Sequence, residues 1–464
     1  MKLILSVLFV FSVSQSTEVS QSLFKKHGLT EDSVSFFALN TDTGEVLADH
    51  NAESARPLAS VTKLLSLYYS LSVLGPDKRF KTKLSYSGKI ENGTLLGDLY
   101  LKGGGDPNLT PSQLMNLAFS MKATGIQKIK GKFYFDDKAL IKSARLSTIG
   151  LEDQPDNPSV GALNVDFNRF RVFKNKELLP GLEHLKIKPS NKNLKADLNY
   201  SFLPKKNMWI KSSKAKKKYI QDLPARDAGL FTASYFSYLA SLLGVEIPTP
   251  IAGKEPSDTK LIQEHKGLPL WRISSLAIEY SNNLMAELPA MMATQKITER
   301  PAGIKDSAKS VLSFLRTSFP KAGFQNTQLV NSSGLAINNK ASAKTLAQFL
   351  DKTKDTKFGS RSFWSLFSIN GRSGWISKRL LHPSTAYRIW AKTGSLYYVS
   401  NIAGYYLTPK GERVAFAILI HDSKARKILE TPLTKDAENL RRKAKLWSAK
   451  TKSFTDQLLL SWLK

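Results

Sequence analysis

Three short motifs place side chains at spacings suited to acyl-transfer chemistry. Ser60-Val61-Thr62-Lys63 sets a hydroxyl and an amine three residues apart. On a helix, positions i and i+3 share one face, so the amine reaches the hydroxyl. Once desolvated or set beside another cation, it becomes a competent base for Ser Oγ. A serine at a helix start also lies near unpaired backbone N–H groups that can receive an oxyanion. Ser281-Asn282-Asn283 follows Trp271–Tyr280 at a helix-to-helix junction. In a tight turn its hydroxyl and carboxamide, two residues apart, face one cleft, the first relaying a proton and the second holding an amide. Lys392-Thr393-Gly394-Ser395 occurs once, at the expected start of a strand. Glycine there admits close approach of another backbone, the two hydroxyls grip a carboxylate, and lysine adds positive charge.

Singly, each motif is weak. S-x-x-K recurs at Ser22, Ser213, Ser257 and Ser318, and S-x-N recurs at Ser368-Ile369-Asn370. Ser and Asn are also the ordinary residues of helix caps. The elements that must carry the motifs are legible around them. Ser35–Leu39 and Glu45–Ala48 flank Asn40-Thr41-Asp42-Thr43-Gly44, which predicts a hairpin. Pro57 before Ser60, and Gly75-Pro76 after, frame a helix beginning near Ser60. From about residue 80 to 255 short alternating segments broken by Gly and Asn predict a β-rich insert, helical at Phe231–Gly244. Helical periodicity returns over 268–296, where Pro289 is expected to kink or end the helix. Three strands follow, Tyr387–Ala391, Tyr397–Thr408 and Arg413–Ile420. Leu440, Ala444, Trp447, Thr451, Phe454 and Leu458 then predict an amphipathic helix.

Composition narrows the setting. The 464 residues are 42% hydrophobic, which suits a globular chain of about three domains. With no cysteine, disulfides, thiolate nucleophiles, Fe–S clusters and Cys-ligated zinc are excluded, and the six scattered histidines form no H-E-x-x-H. No cofactor or metal is expected. Lys2 followed by Leu3–Phe11 and then small polar residues predicts a secretory signal peptide over about 1–16, too short for a mature membrane span. No other stretch is long and apolar enough to span a bilayer. The net charge of +30 raises nucleic acid first, but no zinc finger, phosphate loop or RNA-binding aromatic motif accompanies it. Its local peak, Lys211–Lys218, is read as a solvated or anion-facing patch. For an exported chain the polyanions to hand are cell-wall polymers and anionic headgroups, so peripheral association with the envelope is the expected use of the charge.

S-x-x-K, S-x-N and K-T-G in this order resemble the penicillin-recognising serine hydrolases, the β-lactamases and penicillin-binding proteins. The long gap from Ser60 to Ser281 leaves room for the insert and is too long for a compact class A β-lactamase. With Gly103-Gly104-Gly105-Asp106-Pro107-Asn108-Leu109, Ser159–Asn164, Pro224–Asp227 and Ser332–Leu335, the chain is similar to the class C low-molecular-mass penicillin-binding proteins, the D-Ala-D-Ala carboxypeptidase/endopeptidase family. The likeness covers roughly residues 25–425.

The resemblance implies an α/β (α+β) fold: a discontinuous transpeptidase-like domain, 17–82 and 258–464, whose antiparallel sheet is covered by helices, with 83–257 as the accessory insert. The insert is somewhat short, which implies that one accessory subdomain is reduced or absent. It implies an exported, periplasmic or envelope D,D-peptidase acting on peptidoglycan stem peptides and cross-links, with β-lactam antibiotics as covalent inhibitors. Residue by residue, Ser60 is then the acylated nucleophile, Lys63 its base and Ser281 the proton relay. Asn283 binds the substrate's amide backbone, and Lys392 holds the Lys63 amine in its neutral form. Thr393 and Ser395 bind the terminal carboxylate, and the N–H groups of Ser60 and Ser395 form the oxyanion hole. Asp153 receives the amino end of a diaminopimelate-type side chain. The chain departs from the family at Asn331-Ser332-Ser333-Gly334-Leu335 and around Gly371–Trp375, on the cleft rim. A serine β-lactamase and a non-catalytic wall-binding protein are the alternatives.

Overall fold

The computed structural model describes residues 22–149, 152–173, 182, 185–190, 194, 198–213, 220–430 and 437–463. The expected leader at 1–16 and the lysines 214, 216, 217 and 218 lie outside the described residues.

The fold is α/β. Six antiparallel strands form the main sheet in the order Val46–His50, Val34–Asn40, Arg413–His421, Val399–Leu407, Ile389–Leu396, Ser368–Ile369. Chain ends distant in sequence thus pair at the sheet centre, with Phe37 opposite Ala417. Both faces are covered, and strand alternation divides the side chains between them. Phe37, Leu39, Ala403, Tyr405, Ala415, Ala417 and Leu419 pack under the helices Thr62–Leu74, Leu270–Glu279, Leu284–Thr298, Ile304–Ser318 and Ala343–Thr353. Phe36, Ala38, Ile402, Tyr406, Phe416, Ile418 and Ile420 meet Phe454, Leu458, Leu459 and Leu463 of the C-terminal helix Ala437–Trp462. Burial on both sides explains why these strands read as nearly unbroken apolar runs.

Several local expectations are corrected. The α-helix after Pro57 starts at Thr62, and Ser60 sits in a 3-10 turn, Ala59–Val61, that leads into it. The strand expected to end at Ala391 continues to Leu396, so Lys392–Ser395 lie inside it rather than at its start. Pro289 does not end its helix, which runs from Leu284 to Thr298. Pro289 therefore removes one N–H without stopping the element.

The insert is built on a second sheet of five strands: Pro250–Ala252, Phe133–Asp136, Leu99–Gly103, Arg79–Tyr86 and Lys260–Pro269. It holds a helix that periodicity reading passed over, Pro111–Ala123, announced by a Thr110/Gln113 capping box with Pro111 at the first helical position. The expected helix at 231–244 begins earlier, at Ala228, where Asp227 accepts from Leu230 N at 3.0 Å. The strand Arg79–Tyr86 pairs with the returning strand Lys260–Pro269. We propose these two strands as the bounds of the insert, slightly outside 83–257.

Candidate active site

The three motifs converge on one cleft of about 400 Å³, whose lining includes Ser60, Ser281, Asn283, Thr393 and Ser395. Two close backbone approaches make the convergence. A Cβ on Gly394 would stand 2.7 Å from Leu58 O and 2.9 Å from Ser60 N, so only glycine lets the strand Ile389–Leu396 lie against the nucleophile turn. Gly334, at φ +83°, abuts the same turn from the other side, where a Cβ would fall 1.9 Å from Ala59 O. The strand's far neighbour, Ser368–Ile369, pairs only with Trp390 and Ala391. The edge from Thr393 to Leu396 therefore faces the cleft without a partner strand among the described residues, an arrangement open to an extended ligand.

Lys63 is completely buried. Its Nζ donates to Ser60 Oγ at 2.9 Å, Asn283 Oδ1 at 2.8 Å and Ser333 O at 2.6 Å. Removal from water pushes its ammonium down to about 7, against the opposing pull of the Glu287 and Asp156 carboxylates. Lys392 is buried alongside and donates to Thr393 O at 2.7 Å. Burial, and then repulsion from Lys63, holds it well below the ordinary lysine range. The neutral tendency of Lys63 thus comes first from desolvation, where the sequence pointed first to the charge of Lys392.

At the S-x-N junction the duties separate. Asn282 Oδ1 caps the helix Leu284–Thr298 by accepting from Met285 N at 3.1 Å. Ser281, in a left-handed conformation at φ 58°, and Asn283 line the cleft on either side of Asn282. Both ends of the Asn283 carboxamide are engaged, one by Lys63 and the other by Asp156 O at 2.8 Å.

Asp153 is not brought into the cleft. It is buried outside the cleft lining, and its carboxylate accepts from Asn199 N at 2.9 Å and Tyr200 N at 3.2 Å. Asp156, three residues on, lines the cleft instead. Although its surface is exposed, the protein packed around it still raises its carboxyl, with its own backbone N–H, Lys63 and Arg169 opposing.

Sequence reasoning placed Gly371–Trp375 on the rim but passed over Tyr280 and Lys452. Tyr280 and Trp375 line the cleft while 65% and 67% exposed. Lys452 joins them from the C-terminal helix. That helix grips the Trp375 segment through Arg379, whose Nε and Nη2 donate to Asp456 Oδ1 at 2.9 and 2.6 Å. Glu287 had a signal that went unused: it lies four residues after Asn283, hence on the same helical face. Lys452 had none, since only tertiary packing brings it to the cleft.

Comparison with known proteins establishes the family and the fold. The chain is 28% identical over 447 residues to a D-alanyl-D-alanine carboxypeptidase DacB of Haemophilus influenzae, covering 90% of this chain and 91% of the relative. It is 24% identical over 422 residues to a D-alanyl-D-alanine carboxypeptidase of Actinomadura sp., covering 82% and 76%. The crystal structure of penicillin binding protein 4 (dacB) from Haemophilus influenzae superposes with a TM-score of 0.75 at 24% identity, over 93% of this chain and 98% of that one. Its complex with a β-lactam gives 0.74 at 24% identity, over 96% and 99%. Residues 15–200 and 211–440 match the model of the D-Ala-D-Ala carboxypeptidase 3 (S13) family, and the chain belongs to that family.

Proposed function

We propose that the chain is an exported serine D,D-peptidase that cleaves peptidoglycan stem peptides through an acyl-enzyme on Ser60 and is acylated by β-lactams. The observation that carries this reading is the 2.9 Å bond between Lys63 Nζ and Ser60 Oγ, with the lysine held near neutrality by burial. Ser60 Oγ attacks the carbonyl carbon of the D-Ala-D-Ala bond and passes its proton to the neutral Lys63. The oxyanion is received by the N–H groups of Ser60 and Ser395. The C–N bond then breaks, and the proton reaches the leaving amine through Ser281. Water adds to the ester and releases the shortened peptide. A β-lactam follows the same course to the ester, but its nitrogen stays tethered to the acyl group after the ring opens.

Thr393 and Ser395, on the free strand edge, are assigned to the substrate's terminal carboxylate, and an arriving carboxylate would favour the protonated form of the buried Lys392 behind them. Asn283 is assigned to holding Lys63 and the Asp156 loop in place, and its second N–H and second lone pair are left for the amide backbone of the substrate. Asp156 replaces Asp153 as the carboxylate for an amino group on the substrate side chain, since it borders the cleft. Envelope localisation rests on the leader expected at 1–16, and the +30 charge suits association with an anionic wall.

The test is product analysis of cross-linked and uncross-linked muropeptides after incubation with purified protein. Loss of a terminal D-Ala marks carboxypeptidase action, and conversion of dimers to monomers marks endopeptidase action. Ser60→Ala should abolish both, together with covalent labelling by penicillin. Rapid turnover of penicillin with no muropeptide cleaved would replace this reading with a β-lactamase. Wall binding by a wild type inert toward every substrate would replace it with a binding protein.

A further inference from the structure

Glu287 is a completely buried carboxylate at the back of the site, with no part in the steps above. Ser332 N donates to its Oε1 and Oε2 at 3.0 and 3.1 Å, and Ser333 N donates to Oε2 at 2.9 Å. All three bonds go to one short turn. From the same turn Ser333 O accepts Lys63 Nζ at 2.6 Å. One residue later Gly334 presses on Ala59 O, beside the nucleophile. No lysine or arginine forms an ion pair with Glu287 among the described residues, yet its charge and that of Lys63 act on each other. A lone buried carboxylate is costly to keep, and amide N–H donors together with a nearby cation are what make it tolerable.

We propose that Glu287 is a positioning residue of the acyl-transfer reaction: it fixes the Asn331–Gly334 turn against the nucleophile and is the buried counter-charge of the ammonium formed when Lys63 takes the Ser60 proton. The charges facing Lys63 are Glu287 from its helix, Asp156 from the insert loop and Lys392 from the strand. Only Glu287 combines negative charge with full burial, so its attraction is the least screened. Burial lifts its carboxyl to about 7 and lowers the Lys63 ammonium to about 7, and the charge of each opposes the shift of the other.

The inference rests on the proposed peptidase reading, and wild-type acylation and muropeptide cleavage test that reading separately. Given an active wild type, the test is the pH profile of penicillin acylation. Glu287→Gln removes the charge that favours protonated Lys63, so the acid limb should move to lower pH by about one unit. The plateau rate should fall tenfold or more, because the glutamine NH2 meets backbone donors. Glu287→Asp keeps the charge but shortens the reach, so its rate should fall with the limb nearly unmoved. Carbon-13 NMR of labelled glutamate in wild type and Lys63→Met gives a readout independent of Glu287 variants. One carboxyl should titrate near neutral pH and move upward when the lysine charge is lost. An unmoved limb in Glu287→Gln, or a Glu287 titration indifferent to Lys63→Met, overturns the charge coupling. Wild-type acylation by Glu287→Gln overturns the whole proposal.

Discussion

Gly334→Ala isolates the packing that holds the nucleophile in place. Gly334 has φ +83°, where an L-residue costs about 1–2 kcal/mol. Its added Cβ would lie 1.9 Å from Ala59 O and 3.0 Å from Ser60 N. Contacts that short do not occur, so the Asn331–Gly334 turn and the Ala59–Val61 turn must part by about 1 Å. Lys63 is held through Ser333 O on one side and Ser60 Oγ on the other, so the same displacement loosens both bonds. A misplacement of about 1 Å at reacting groups costs on the order of 100-fold in rate. Acylation by a fluorescent penicillin, followed by stopped-flow or gel densitometry, should therefore slow about 100-fold while thermal denaturation shows a folded protein. Gly411→Ala is the control. Its φ of +85° carries the same conformational cost, but its Cβ would meet nothing within 4 Å, so acylation should not change. A folded Gly334→Ala protein that acylates at the wild-type rate would refute the argument that this contact positions Ser60.

Lys63→Arg keeps the charge but cannot act as base, because guanidinium does not deprotonate in proteins; acylation should fall by several powers of ten. Wild-type acylation should rise with pH through about 7, since burial lowers the Lys63 ammonium to that value and only the neutral amine accepts the Ser60 proton; a flat profile from pH 5 to 9 contradicts it. Asp156→Asn should lower kcat/KM about tenfold or more for a stem peptide with a free side-chain amine and little for one acetylated there. The same comparison for Asp153→Asn should show no amine dependence. Arg379→Ala releases the Trp375 segment from the C-terminal helix, so KM for muropeptides should rise several-fold while acylation by a small penicillin holds steady.

How much of the site was legible in the sequence depended on how locally each residue's task is set. Ser60 with Lys63, Ser281 with Asn283, and Lys392 to Ser395 each lie within a few residues, so type and spacing could single them out as candidates, while the order of the three motifs and the family resemblance supplied their roles. The central strands were legible as short apolar runs bounded by turn residues, whereas their joining into one antiparallel sheet was implied by the family resemblance. Boundaries were less secure. Ser60 fell in a 3-10 turn, and Pro289 stayed within its helix, because buried tertiary contacts outweigh local propensity.

What only the tertiary structure decided are the relations between distant segments. Asp153 and Asp156 are near neighbours in sequence, and backbone donors at Asn199 and Tyr200 took the first away from the cleft. Lys452 reaches the cleft because Phe454, Leu458 and Leu459 seat its helix on the sheet. The base strength of Lys63 is likewise non-local. It arises from removal of the amine from water by several elements at once, with the Glu287 and Asp156 carboxylates opposing. Spacing can tell which groups share a face. Burial and field depend on everything packed around them, and that information is spread over the whole chain.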